Sequence, residues 1–196
     1  RIEEVNRVIE VLTSIGVSVR WTNETDMQIM PPKKLKMSHL DRAAAERTRS
    51  ILLLLGPLIH LLGKFELPHP TGCKLGRRTV RPHLFALEKL GVHIKTTRIS
   101  YHVAVKKLKP AEIILYESED TTTENAIMAA ALVSGTTVIK MASANYMGQD
   151  LCYFLQKLGV RIDGIGTTTL TVHGVSELNA PISYSPIEDP IESMLF

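Results

Sequence analysis

Cys73 lies in the stretch Pro70-Thr71-Gly72-Cys73-Lys74-Leu75-Gly76-Arg77-Arg78, which sets a thiol between glycines and beside Lys74, Arg77 and Arg78. Neighbouring positive charge favours thiolate over thiol, so such a cysteine is nucleophilic and able to exchange a proton near neutral pH. The same arginines could hold a phosphate or carboxylate through paired hydrogen bonds. A reduced cysteine in a solvated, charged surface loop has the same composition. The surrounding elements must decide between the two.

Those elements repeat. A helical pattern followed by an apolar-Gly-Val phrase occurs at Ile15-Gly16-Val17, Leu90-Gly91-Val92 and Leu158-Gly159-Val160. Apolar residues at i, i+3 and i+4 spacing predict an amphipathic helix, the glycine a left-handed cap, and the alternation that follows a strand. A second strand is predicted over 26–30, 101–105 and 168–173. Two of the units have an earlier half: a helix over 49–62 ending at Gly63 with a strand over 64–67, and a helix over 124–133 ending at Gly135 with a strand over 136–140. The unit therefore reads helix-strand-helix-strand-strand, and a repeat of this kind outranks other signals. Residues 51–55 and 126–133 are apolar nearly all round, which predicts an α/β (α+β) fold with helices inside and sheets outside. The first unit lacks its opening half and residues 190–196 read as the start of a further helix, so a fragment of a longer protein is expected.

Composition narrows the function. A chain of 196 residues with 44% hydrophobic and 22% charged content suits a soluble globular protein with a substantial core. Net charge is only +3 and aromatic content 5%, which argues against nucleic acid as partner. The apolar run 51–62 contains Gly56, Pro57 and His60 and is too short to span a bilayer, so no membrane partner is expected. Cys73 and Cys152 form no disulfide framework or metal spacing; a reducing cytoplasm fits, with no metal and no cofactor. Cys152 falls on the apolar face of the predicted helix 149–158 and is expected to be buried.

The motifs together resemble the enolpyruvyl transferase family, in the branch that acts on UDP-N-acetylglucosamine. The matching stretches are Arg49-Ser50-Ile51 through Leu58, the cysteine loop through Arg78, Val80 and His83, Leu87 to Val92, Thr123-Glu124-Asn125 through Ala130, Gly135 to Ile139, Leu158 to Thr167, and Asp189-x-Ile191-Glu192. The resemblance implies two domains, each of three helix-and-strand units with helices inside. It makes residues 1–188 the cysteine-loop domain, incomplete at its N-terminus, and 189–196 the truncated start of the second. It implies transfer of the enolpyruvyl group of phosphoenolpyruvate to the 3-hydroxyl of UDP-N-acetylglucosamine, in cytoplasmic synthesis of a cell-wall (peptidoglycan) precursor. Residue by residue, Cys73 would be the loop acid and Arg78 would neutralise phosphoenolpyruvate. Arg49 would line the same anionic pocket, while His83, Thr121 and Asp189 would lie near the acceptor. The family's catalytic aspartate and a further arginine belong to parts outside this chain, which alone is not expected to turn over.

The chain also departs from the family. The run Arg-Pro-Val-Asp is here Arg78-Thr79-Val80-Arg81, and Thr71 stands for a loop glycine. A nucleotide-contacting Lys-x-Ser-Val-Gly stretch corresponds to Glu117-Ser118-Glu119-Asp120-Thr121, which puts like charge where a diphosphate would lie. The alternatives are a diverged, non-catalytic paralogue that binds or regulates, or a transferase with another acceptor such as shikimate 3-phosphate.

Overall fold

The computed structural model describes residues 3–24, 26–70, 79–178 and 181–194, with side chains omitted at 191 and 192. Cys73, Arg78 and the rest of the 71–78 stretch lie outside the described residues.

Helix α1 spans Glu3–Ser14. Its first-turn acids suit the positive end of the helix, and Arg7 bridges Glu3 and Glu10 at 2.6 and 2.7 Å. The helix stops at Gly16, whose φ is +100°, with Val17 N–H donating to the Leu12 carbonyl and Gly16 N–H to Thr13. That is a Schellman cap, the predicted stop signal. Helix α6 (Tyr146–Lys157) ends with the same pair of bonds, Val160 to Leu155 and Gly159 to Gln156. At Gly91, after α4 (Arg81–Lys89), φ is +98° and an added Cβ would stand 2.3 Å from the Lys107 carbonyl oxygen, so only glycine fits. Gly63 differs: it is not among the positive-φ glycines and closes its helix without a left-handed turn.

The strands confirm the repeat. β1 (Ser18–Trp21) and β2 (Met27–Met30) form an antiparallel pair. β3 (Lys64–Pro68), β4 (Val92–Thr96) and β5 (Ser100–Val105) form an antiparallel sheet in the order β3-β5-β4. β6 (Glu112–Ile114), β7 (Gly135–Lys140), β8 (Arg161–Asp163) and β9 (Thr169–Gly174) are ordered β6-β7-β9-β8. In both larger sheets a unit's last strand therefore sits between its first and its middle strand. β6 is an addition, parallel to β7 and absent from the repeat read in the sequence.

The helices form the interior, as expected. α5 (Asp120–Ala131) is buried on nearly every side and packs against α3 (Leu55–Leu61), α4 and α6. Small residues permit this: a Cβ at Gly56 would meet the Asn125 carbonyl at 2.9 Å. The predicted single helix over 49–62 is instead a 3₁₀ segment, Arg49–Leu54, running into α3. Pro57 explains the break, because it lacks an N–H to bond back and its ring crowds the preceding turn; it is tolerated only in the first turn of α3. A short helix, α2 (Arg42–Arg47), was not foreseen; Asp41 caps it by accepting from Ala44 N–H at 3.0 Å. Among the described residues no helix is long and apolar enough to cross a membrane. Cys152 is 1% exposed, as its helical face implied, and burial pushes its thiol up to about 12.

Candidate active site

The start of α5 gathers the polar groups of the domain interior. Glu119 is the residue before the helix, and its carboxylate sits near the positive end of the α5 dipole. Glu119 Oε1 lies 3.7 Å from Arg49 Nη2, at the start of the 3₁₀ segment. Its Oε2 accepts from the Thr122 hydroxyl and lies 3.6 Å from His83 Nε2. Arg49 Nη2 also donates to the carbonyl of Thr79 at 3.3 Å. Thr79 directly follows the stretch that carries Cys73 and Arg78 in sequence.

His83 is fully buried on α4. Asn125 Nδ2, which can only donate, lies 2.9 Å from His83 Nδ1 and 2.7 Å from the Leu52 carbonyl. Asn125 Oδ1 accepts from Gly56 N–H at 2.9 Å. His83 Nδ1 must therefore accept, and the neutral ring carries its proton on Nε2, facing Glu119. Burial pushes the His83 pKa down to about 4; the Glu119 carboxylate pulls it upward and the Arg49 cation downward. His83 is thus a neutral donor held in one tautomer.

A cavity of about 450 Å³ opens beside this cluster, lined by Thr79, Glu117, Ser118, Glu119 and Asp120. The three acids are not equivalent. Glu119 is turned to Arg49 and His83. Asp120 accepts from the Ser143 hydroxyl and from Asn145 Nδ2, the latter at 2.9 Å. Glu117 is exposed. A larger concavity, about 870 Å³, is lined by β3, β4 and β5, including Glu66, His93 and His102, and holds none of the residues singled out from the sequence. Among the described residues no group of three or more His, Cys, Asp or Glu could hold a metal ion.

Of the predicted site residues, the structure brings Arg49 and His83 together around Glu119. Thr121 is half-buried in the first turn of α5 and does not line the cavity. Asp189 precedes α7 (Pro190–Ser193) and accepts from the Tyr146 hydroxyl at 2.8 Å; it does not line the cavity. Two residues were passed over: Glu119, read only as a charge conflict, and Asn125, quoted within a motif with no role. The available signal for Asn125 was a carboxamide directly ahead of the apolar run 126–131, since a buried amide needs partners.

This interior of helices under repeated three-strand units is the architecture of the enolpyruvyl transferases. The family model for EPSP synthase (3-phosphoshikimate 1-carboxyvinyltransferase) matches residues 1–196, and the chain belongs to that family. Curated relatives include the UDP-N-acetylglucosamine 1-carboxyvinyltransferases of Bradyrhizobium diazoefficiens, 36% identical over 91% of this chain and 41% of the relative, and of Coxiella burnetii, 35% identical over 98% and 44%. The chain thus spans less than half the length of these relatives. Among solved structures, the enolpyruvyl transferase NikO from Streptomyces tendae superposes with a TM-score of 0.76 at 21% identity, covering 98% of this chain and 45% of that one. EPSP synthase from Acinetobacter baumannii gives 0.66 at 16% identity, covering 88% and 39%. These two establish the fold. The family and the relatives differ in the acceptor they are named for and share carboxyvinyl transfer.

Proposed function

We propose that the protein containing this chain transfers the 1-carboxyvinyl group of phosphoenolpyruvate to the 3-hydroxyl of UDP-N-acetylglucosamine and releases phosphate, a cytoplasmic step in making peptidoglycan precursors. The chain would supply the cysteine-loop domain, residues 1–188, with the second domain beginning at 189. The observation that carries this reading is the anchoring of Thr79, where the cysteine loop ends in sequence, to Arg49 at the edge of the cavity. That contact supports a site in which the Arg49 guanidinium, the loop's thiol and Arg78 would meet around the phosphate and carboxylate of the substrate. In the reaction a proton adds to the methylene carbon of phosphoenolpyruvate, making it a methyl group, while the acceptor hydroxyl gives its proton to a base and its oxygen bonds to C2. Loss of phosphate and of one methyl proton then restores the double bond. Positive charge builds at C2 during protonation, while the phosphate and carboxylate require fixed cations. Cys73 is the proton donor in this scheme, with Arg78 and Arg49 as the cations.

Phosphate release from phosphoenolpyruvate by the full-length protein, with and without UDP-N-acetylglucosamine, tests the reading. Release that requires the sugar nucleotide and drops at least about 100-fold in Cys73→Ser is expected, the scale of a lost acid catalyst. An unchanged rate in Cys73→Ser removes the thiol from the mechanism, and no release from the folded protein removes this acceptor. The acidic wall of Glu117, Glu119 and Asp120 is the specific observation favouring a second reading, a transferase with a different acceptor.

A further inference from the structure

We propose that Glu119 is a resident counter-anion that sets the acceptor specificity of this site by weakening its hold on phosphate-bearing ligands. The inference rests on the transferase reading only for the identity of the ligand. Three observations lead to it. Two groups suited to an anion, the Arg49 guanidinium and the Nε2–H of His83, both face the Glu119 carboxylate, at 3.7 and 3.6 Å. Buried His83 Nε2 has no hydrogen-bond partner among the described residues; the nearest acceptor is the Glu119 carboxylate at 3.6 Å, itself part of the cavity wall. The third observation is the cavity itself, walled by Glu117, Glu119 and Asp120.

A carboxylate in this position does two things to an incoming phosphate. It repels the phosphate directly, and it already neutralises the guanidinium that would attract it. The Glu119 side chain is only 18% exposed, so water screens neither effect fully. Asp120 is tied to Ser143 and Asn145 and is less able to turn away or toward a ligand. Glu117 is exposed, and its contribution is weakened by solvent. Glu119 is therefore the acid whose removal matters most, and it acts both directly and by neutralising Arg49. A ligand that offers hydroxyl or amide donors to the wall meets no such penalty.

Calorimetric titration of the full-length protein with UDP tests this without requiring turnover. Glu119→Gln keeps the volume and can still accept from Thr122; it is expected to tighten UDP binding about tenfold or more, and Glu117→Gln less than threefold. In an Arg49→Met background the gain from Glu119→Gln should shrink to about threefold or less, the remainder being the direct repulsion of the phosphate. If Glu119→Gln does not fold, Glu119→Asp withdraws the carboxylate by one methylene and should act in the same direction with smaller size. Unchanged UDP affinity in these variants overturns the proposal, as does an equal gain without Arg49. Tighter UDP binding with no phosphate release from phosphoenolpyruvate would leave Glu119 in its role and remove the transferase reading instead.

Discussion

Asn125 joins three elements with one carboxamide: it takes the N–H of Gly56, gives a hydrogen to Leu52 and gives another to His83. Replacing it by leucine of similar volume strands an amide hydrogen, a carbonyl and a ring nitrogen in a dry interior. Asn125→Leu should therefore cost about 3 kcal/mol or more in urea denaturation, and a loss below ~1 kcal/mol would show that water reaches these groups. The same cluster gives the protein an acid-sensitive point. His83 titrates near 4 in the folded chain against an ordinary 6.5, so below pH 6.5 the unfolded chain takes up a proton that the folded one refuses. Stability should then fall as the pH drops from 6.5 towards 4, by something on the order of 3 kcal/mol. His60 adds to the slope, since burial lowers its pKa while Nε2 donates to the Ala129 carbonyl. Urea midpoints at pH 7.5 and 5 would measure the fall, and His83→Gln should flatten it; an identical slope in that variant assigns it to other groups.

At the scale of elements, the glycines separate into two kinds. Gly91→Ala forces a side chain into a left-handed turn and against the Lys107 carbonyl, so a loss of about 2 kcal/mol or more is expected from thermal or urea unfolding. Gly63→Ala meets open space at a φ that any residue adopts, and should be neutral or stabilising by about 0.5 kcal/mol. A reversed order would mean that Gly63 holds the strain. Both glycines look alike in sequence, because each ends a helical run before a strand. The repeat was legible because its signals are local: apolar spacing, a glycine stop, then alternation. The strand order β3-β5-β4 was not, since pairing closes over distance and the alternation fixes only which face is buried. β6 escaped because its paired stretch, Glu112–Ile114, is too short to show alternation. In the site, Arg49 and His83 could be read from motifs, but their meeting at Glu119 spans chain separations that no spacing rule reaches.

At the scale of the whole molecule, α5 is the common wall. It touches the 3₁₀ segment, α3 and α4 from one unit and α6, β7 and β9 from the other, so neither large sheet can lose its helices while the other keeps all of its own. The β1-β2 pair stands apart from this arrangement. Among the described residues it has no third strand, its side chains are mostly exposed, and α1 is its main packing partner. A two-stranded ribbon of this kind is marginal by itself, and its opening exposes little of the core. Native-state hydrogen exchange on the 196-residue chain should therefore find the β1 and β2 amides exchanging roughly 100-fold faster than those of β7 and β9, which need near-global opening. Cys152 gives an independent clock for the slow class, because its thiol lies in the same core as β7 and β9 and is raised by burial. Its labelling by a thiol reagent should keep pace with β7 exchange and not with β1 exchange. Equal protection of all three sheets would show that α1 and the β1-β2 pair belong to the same cooperative unit as α5. Labelling of Cys152 ahead of β7 would instead show α6 detaching from α5 while the sheet behind it holds.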